Sequence, residues 1–118
     1  MAIKPDKYFD ETETMTQEAR GKYHQEHLRR TIDFAYRNAK FTRDLLDKAG
    51  VSPSSIRAIK DLERLPITRK TDLIEAQKAA PPFGGLVSVP LENVERVFLS
   101  PGPVYECHPA GIQWFARS

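Results

Sequence analysis

The chain has 118 residues, of which 40% are hydrophobic and 29% are charged, so it has the size of one water-soluble domain with a modest core. Its 18 lysines and arginines nearly balance 16 aspartates and glutamates, and the two signs are interspersed, which argues against a nucleic-acid partner. The single cysteine, Cys107, excludes an intrachain disulfide and a cysteine-rich zinc site.

The sequence carries no signal for a membrane or for export. No apolar run approaches the roughly 20 residues that a membrane-spanning helix needs. Residues 1–10 contain no apolar segment of the kind found in secretory signals. We therefore expect a cytoplasmic protein with no membrane partner.

The first third of the chain is predicted to form one long helix that ends near Asn38. Thr14 and Thr16 are alternative N-caps, and Thr14 together with Gln17 fits a capping box. Gly21 is the one residue in this stretch that disfavours a helix. Apolar and small side chains recur at helical spacing and form one stripe: Tyr23, His27, Leu28, Thr31, Ile32, Phe34 and Ala35.

Three shorter helices are predicted to follow. The first spans 41–49, with Gly50 placed as the residue that ends it in a left-handed conformation. The second is short and stops before Pro66, and its apolar residues are spaced at threes: Ile56, Ile59, Leu62 and Leu65. Thr68 is predicted to cap the third, which contains Leu73, Ile74 and Gln77 and ends at the prolines 81 and 82.

Beyond Phe83 the residue preferences change from helix to strand. A short β-type run is predicted over 86–89 and a strand over about 96–100, which leads into a turn at 101–103. Residues 112–116, which include Trp114 and Phe115, are predicted to open another helix. The predicted fold is thus mainly α with one or two β-strands near the C-terminus.

The pattern divides the chain into a helical N-terminal segment, 1–80, and the start of an α/β core, 81–118. A single strand leaves its backbone donors and acceptors unpaired. We therefore expect the sequence to stop partway into a larger fold, with the strand at 96–99 exposed or paired with another copy of the chain.

Four stretches, in order, carry a resemblance to a known family. They are residues 8–15, with Tyr-Phe-Asp and Glu-Thr-Met; 35–43, Ala-Tyr-Arg-Asn-Ala-Lys-Phe-Thr-Arg; 60–73, which contains Leu-Pro-Ile-Thr-Arg-Lys-Thr-Asp-Leu; and 82–90, with Pro-Phe-Gly-Gly and Val-Pro. In these stretches the chain resembles the N-terminal part of the phenylacetate–coenzyme A ligases. The resemblance covers residues 8 to roughly 105.

The resemblance implies a ligase several hundred residues long that activates an aryl acid with ATP and Mg²⁺. An acyl-adenylate forms first, and coenzyme A then displaces AMP to give the thioester. The helices would pack on the sheet of the large domain and help to form a homodimer surface. No catalytic residue of such an enzyme is expected within these 118 residues, so the segment alone is expected to be inactive.

In this family a loop rich in Ser, Thr, Gly and Lys follows a strand and contacts the ATP phosphates. The corresponding positions here are 99–106, where only Ser100 and Gly102 match the usual form. They are the candidate cofactor-binding residues. Pro103 removes a backbone donor, and Glu106 brings a negative charge where the family has a lysine. This departure is why phenylacetate itself is not assigned as the substrate.

Other residues allow a functional interpretation, but in each case an ordinary structural role is favoured. His24 and His27 have a spacing that can bind a metal, yet no further ligand completes a site, so no metal is expected. Cys107 and His108 could be a nucleophile and its base, but adjacent loop residues rarely orient that way. One aromatic group could line an aryl pocket, but packing of the helices on each other explains it better: Tyr23, Phe34, Tyr36 and Phe41. One basic group could contact a coenzyme A phosphate, but a solvated helix face explains it better: Arg29, Arg30, Arg37 and Lys40.

Two alternatives to a ligase segment remain open from the sequence. The first is a non-catalytic helical module for interaction or dimerisation, which the altered loop favours. The second is a nucleic-acid-binding helical domain, which the mixed charge pattern disfavours.

Overall fold

A computed structural model describes residues 7–110. These residues form three α-helices followed by a two-stranded antiparallel sheet: α1 (Gln17–Asn38), α2 (Lys40–Ala49), α3 (Lys70–Ala79), β1 (Val94–Ser100) and β2 (Val104–Pro109). The same residues include a 3-10 helix before α1, Glu11–Thr14, and three more between the later elements: Pro53–Ser55, Ile59–Arg64 and Leu91–Asn93. The predicted mainly α fold with strands near the C-terminal end is confirmed.

Thr16 is the N-cap of helix α1, and its hydroxyl accepts a hydrogen bond of 3.2 Å from the backbone N–H of Ala19. The predicted capping box at Thr14 is wrong. Thr14 belongs to the preceding 3-10 helix and donates its hydroxyl to the carbonyl of Glu11 at 3.2 Å. The reason is that Asp10 caps that 3-10 helix and so draws Thr14 into a turn of its own.

Helix α2 follows α1 after the single residue Ala39, which is buried. It ends at Gly50, whose φ of 66° and ψ of 27° confirm the predicted left-handed position. The phenol of Tyr36 donates a hydrogen bond of 2.7 Å to the carboxylate of Asp47 and so ties α1 to α2. This bond is the main reason that the pKa of Tyr36 is raised. The fully buried side chains of Leu46 on α2 and of Ile56 lie in the helical part.

The predicted short helix before Pro66 is a 3-10 helix, Ile59–Arg64. Its apolar residues are spaced by threes, which is the period of a 3-10 helix rather than the 3.6 of an α-helix. The carboxylate of Asp61 accepts hydrogen bonds of 2.9 Å from the backbone N–H groups of Arg57 and Ala58. These bonds hold the pKa of Asp61 below its ordinary value, with that from Arg57 the larger cause.

Helix α3 begins one residue later than predicted, with Arg69 rather than Thr68 at the N-cap position. The carboxylate of Asp72 accepts a hydrogen bond of 2.7 Å from the backbone N–H of Arg69. An acidic side chain at the third position of the helix thereby satisfies the backbone N–H of the N-cap residue, which is the N3 half of a capping box.

The predicted β-type run over 86–89 is wrong, because the structure has no strand there. Gly84 and Gly85 precede it with φ values of 63° and 75°, conformations that glycine adopts without strain. The N–H of Gly84 binds the end of α3 at Ala80, and the carbonyl of Gly85 accepts from Phe41 at the start of α2, at 3.0 Å. These contacts turn the segment across α3 and α2, and it pairs with neither strand of the sheet.

The strand predicted over 96–100 is confirmed and begins two residues earlier, at Val94. It is not a lone strand, because it pairs with β2 from Val94 opposite Pro109 to Ser100 opposite Val104. Strand β2 was not predicted, because β2 contains a proline, a cysteine and a glutamate. Residues 96–99 are nevertheless exposed, as expected. The helix predicted over 112–116, with Trp114 and Phe115, lies outside the described residues.

Replacing Asp61 by Asn is expected to lower the melting temperature at pH 7. A carboxyl whose pKa is depressed in the folded state adds stability above its unfolded pKa, which is about 3.9, and this stability is lost as the pH falls through the folded value. The difference between the two proteins should therefore shrink between pH 5 and pH 2. Thermal melts followed by circular dichroism over that range measure it, with Glu63→Gln in the same 3-10 helix as the control. A difference that is independent of pH would contradict this assignment.

Replacing Gly84 by Ala is expected to destabilise the fold by more than about 1 kcal/mol, because a left-handed conformation is unfavourable for alanine. In addition, the new Cβ would lie only 2.6 Å from the backbone carbon of Ala76 in α3. Gly21→Ala is the matched control, since nothing lies within 4 Å of its Cβ position. That change in an exposed helix should stabilise by roughly 0.5–1 kcal/mol. Urea unfolding compares the two, and equal effects would show that the contact with α3 is absent.

Candidate functional site

The two predicted cofactor-binding residues lie together at the tip of the hairpin. Ser100 is the last residue of β1, and Gly102 is the centre of the turn that joins it to β2. Gly102 has a φ of 98°, a backbone conformation that residues other than glycine rarely adopt. The glycine is therefore required by the turn itself, whether or not a ligand binds there.

The hydroxyl of Ser100 is used within the hairpin. It donates a hydrogen bond of 3.2 Å to the carbonyl of Val104, across the turn, and the residue is half-buried. A phosphate oxygen needs hydrogen-bond donors, and this proton is already committed to a backbone acceptor. In this structure Ser100 therefore closes the turn.

The loop is shorter than the eight aligned positions suggested. Residues 101–103 form the turn, whereas Val104 and Glu106 belong to strand β2. Glu106 is exposed and lies opposite Phe98 in the sheet, not in the turn. Its charge thus lies on strand β2, three residues beyond the end of the turn.

Sequence reasoning missed Lys70, which the fold brings to the same turn. Its ammonium group donates a hydrogen bond to the carbonyl of Pro101. A Cβ added to Gly102 would lie 3.2 Å from the Nζ atom of Lys70 and 3.4 Å from its Cε atom. The end of the lysine therefore covers the face of the turn where the glycine has no side chain. The signal in the sequence was its place in the third of the four stretches that carry the resemblance, 31 residues from Pro101.

A second connection between α3 and the hairpin is made by Gln77, which is only 8% exposed. Its side-chain oxygen accepts from the backbone N–H of Tyr105 and its side-chain nitrogen donates to the carbonyl of the same residue, both at 2.9 Å. The carboxamide thus binds the edge of β2 as a neighbouring strand would. The ring of Phe83 meets the ring of Tyr105 edge-on, with centroids 6.2 Å apart.

An open, mostly apolar groove of about 570 Å³ lies between β2 and residues 86–89. Cys107 and His108 line it, together with Phe34 and Leu73. Burial raises the pKa of the Cys107 thiol, which disfavours the reactive thiolate. Because neighbouring strand residues point to opposite faces, Cys107 and His108 do not face each other. The ring of His108 lies 4.7 Å from that of Phe98 instead.

The two histidines of α1 make contacts within their own helix. The ring of His27 stacks on that of Tyr23 at 3.9 Å, and its Nδ1 atom lies 2.9 Å from the carbonyl of Tyr23. The ring of His24 packs edge-on against Tyr23. In residues 7–110 no group of three or more His, Cys, Asp and Glu is arranged to hold a metal ion. No helix in the same range is long and apolar enough to cross a bilayer.

The other aromatic and basic candidates are spread over the helical part. Phe34 lines the groove, whereas Tyr36 is bound to Asp47, so these two candidates for an aryl pocket do not face one cavity. Arg29 donates to the carbonyl of Arg57 at 3.2 Å. The remaining three basic residues form ion pairs one helical turn away: Arg30 with Glu26, Arg37 with Asp33 and Lys40 with Asp44.

Comparison with curated proteins supports the resemblance seen in the sequence. The chain is 42% identical to the phenylacetate-coenzyme A ligase of Thermus thermophilus over 95 residues, which are 80% of the chain and 20% of that protein. In this region the chain is similar to a segment of the phenylacetate-coenzyme A ligases. It spans about a fifth or less of the length of the curated relatives it matches. No protein-family model matches the chain.

Solved structures of an adenylate-forming ligase contain a part whose fold is similar to that of this chain. One is a 2-hydroxyisobutyryl-CoA ligase in the postadenylation state in complex with R3-HIB-AMP, with a TM-score of 0.77 and 32% identity. That match covers 88% of this chain and 23% of the ligase. The same ligase with 2-HIB-AMP and CoA in the thioesterification state matches with a TM-score of 0.73 and 32% identity, over 82% of this chain and 21% of the ligase.

Replacing Gln77 by Leu is expected to destabilise the protein by about 2–4 kcal/mol, because both backbone groups of Tyr105 would lose their partner in a poorly hydrated place. Gln25→Leu is the matched control, since Gln25 is exposed on α1 and should change stability by less than about 0.5 kcal/mol. Urea unfolding followed by circular dichroism gives both values. Equal effects of the two substitutions would contradict the role assigned to Gln77.

Proposed function

We propose that this chain is the N-terminal segment of an ATP-dependent acid–coenzyme A ligase that works through an acyl-adenylate. The observation that carries the proposal is the fold match over 88% of the chain to a ligase captured with an acyl-AMP. The second matched state of that ligase contains both an acyl-AMP and CoA, which supports the use of ATP and of coenzyme A in turn.

In this proposal the turn at 101–103 faces the phosphates of ATP. Pro101 and Pro103 have no backbone N–H, so the turn itself offers the N–H of Gly102 as its donor. The Lys70 ammonium beside it adds positive charge. Such a donor set suits an anionic oxygen, and the small residue allows a close approach.

The Mg²⁺ ion that the resemblance implies prefers oxygen ligands such as carboxylates. Residues 7–110 do not bring three or more potential ligands together for a metal ion. The part we assign to this segment is to bind and orient phosphate.

We propose that residues 1–80 are the helical N-terminal segment and that 81–118 open the α/β core of the large domain. The free edge of β1 supports this division, since Val97 is 49% exposed and Leu99 is 58% exposed. An apolar edge strand with unpaired backbone groups is the ordinary place for a sheet to continue. The segment alone is proposed to be inactive, and the edge is filled by a strand of the same polypeptide in the whole enzyme.

The acid substrate is proposed to be an aryl acid, with phenylacetate as the first compound to test. The curated relatives are phenylacetate-coenzyme A ligases, which supports this choice. The solved neighbours are ligases of 2-hydroxyisobutyrate, an aliphatic acid, so that acid is the natural second compound.

The test is ATP–pyrophosphate exchange by the full-length polypeptide that carries this segment, with phenylacetate, with 2-hydroxyisobutyrate and without acid. We expect exchange that depends on the acid, and formation of AMP and a thioester when coenzyme A is added. Absence of exchange with either acid would overturn the proposed function. Turnover by residues 1–118 alone would overturn the claim that the segment is inactive.

Gly102→Ala in the full-length polypeptide is expected to reduce the exchange rate at least tenfold, because the new side chain meets both an unfavourable φ and the end of Lys70. Gly21→Ala, far along the chain on α1, is the control and should leave the rate unchanged. Equal rates for the two variants would contradict a role for the turn in nucleotide binding.

A further inference from the structure

A cleft of about 390 Å³ lies in the helical part of the chain, beside α1 and the 3-10 helix that follows α2. This volume is in the range of roughly 300–1,000 Å³ that small-molecule sites occupy. The cleft shares no residue with the hairpin or with the groove beside β2. Its lining residues come from α1 and from the loop after α2: Arg29, Asp33, Pro53, Ser54, Ile56 and Arg57.

Backbone carbonyls of the loop fix two guanidinium groups at this cleft. The Nε atom of Arg29 donates a hydrogen bond of 3.2 Å to the carbonyl of Arg57. The Nε atom of Arg57 in turn donates a hydrogen bond of 3.1 Å to the carbonyl of Ser54. A guanidinium has five N–H donors, and these bonds use one donor of each group. The terminal nitrogens of both arginines are therefore left to bind a ligand.

The positive charge of the two arginines is not neutralised by a carboxylate of residues 7–110. Neither Arg29 nor Arg57 takes part in an ion pair within that range. Asp33 lines the cleft, but its carboxylate is paired with Arg37 at 3.1 Å. The carboxylate of Asp61 accepts from the backbone N–H of Arg57 rather than from its side chain.

A third guanidinium is attached to the same loop. Arg64 donates a hydrogen bond of 3.3 Å through one terminal nitrogen to the carbonyl of Ser55. Three arginines thus bind the carbonyls of Ser54, Ser55 and Arg57, which lie within four consecutive positions. This loop therefore concentrates positive charge beside the cleft, and an anion is the ligand that such charge favours.

We propose that the cleft binds a small molecule that carries a phosphate monoester, with Arg29 and Arg57 as its two cationic donors. Such a group has a charge of about −1.5 to −2 at pH 7 and three acceptor oxygens, and the planar guanidinium binds phosphate through paired N–H groups. A monoanion would leave one of the two cations unmatched. Pro53 and Ile56 supply apolar atoms for the organic part of the ligand. This site goes beyond the ligase function and does not rest on it.

The experiment is a calorimetric titration of the full-length polypeptide that carries this segment, with phenyl phosphate as the probe. We expect saturable binding that weakens when salt is raised from 50 to 300 mM, because the screening length falls to about 6 Å. Phenyl sulfate has a similar shape but one negative charge, and it should bind at least about fivefold more weakly.

Arg29→Gln and Arg57→Gln should each weaken the binding of phenyl phosphate at least about fivefold, because each removes a charged donor. Arg57→Lys should fall between the parent and Arg57→Gln, since the charge is kept but the paired donors are lost. Arg30→Gln is the matched control, because Arg30 is paired with Glu26 and does not line this cleft. It removes the same charge one residue along α1 and should leave the affinity unchanged. Circular dichroism spectra of the variants should match that of the parent.

The absence of saturable binding, or equal affinities for the glutamine variants at 29 and 30, would overturn the assignment of this cleft. Gly102→Ala alters the hairpin turn and should leave the affinity for phenyl phosphate unchanged, because the turn shares no residue with the cleft. If Gly102→Ala weakens binding and Arg29→Gln does not, the probe binds at the turn and the proposal for the cleft is wrong.

Discussion

The pair of hydrogen bonds between the Gln77 carboxamide and the backbone of Tyr105 is the constraint on which the candidate site depends. A two-stranded hairpin is marginally stable by itself, and this one shows most of its apolar residues to solvent. The amide fixes β2 to α3 and thereby sets where the turn lies. Ser100, Gly102 and Lys70 meet at one place because of that attachment.

The same bonds define the edges of the sheet. Because the N–H and C=O of Tyr105 point to Gln77, they point away from β1, so Tyr105 and Leu99 form a pair without mutual hydrogen bonds. The alternation of an antiparallel ladder then directs the backbone groups of Val97 and Leu99 outward on β1. One edge of the sheet is therefore closed by a helix side chain, and the other is open to a further strand.

The helices are held together mainly by backbone contacts through Gly84 and Gly85, because few apolar side chains are fully buried between them. Gly84 lies against the backbone of Ala76 in α3, and the carbonyl of the next residue, Gly85, binds Phe41 in α2. The described core contains few fully buried apolar side chains, among them Leu46 and Ile56. Such an architecture suits a segment that buries its remaining apolar surfaces, the groove and the edge of β1, against the rest of a larger domain.

Helices and strands were predicted correctly where the residues of the element itself determine its structure. The helix ending at Gly50 and the strand leading to Ser100 follow from residue preferences, and four short stretches carried the resemblance to the phenylacetate–coenzyme A ligases. The errors concern competition between neighbours: Asp10 draws Thr14 into a 3-10 helix, Arg69 instead of Thr68 takes the N-cap position of α3, and a pair of glycines turns 86–89 away from the sheet. The contacts that build the site could not be predicted, because Lys70 and Gln77 reach partners about 30 residues away, and no periodicity records such a pairing.

The most direct test of this account is amide hydrogen exchange in the 118-residue chain, measured by NMR. The account predicts that the N–H of Tyr105, bound by Gln77, exchanges much more slowly than those of Val97 and Leu99 on the open edge. If the Tyr105 amide exchanges as fast as the Leu99 amide, α3 does not hold the hairpin, and the placement of the candidate site is wrong.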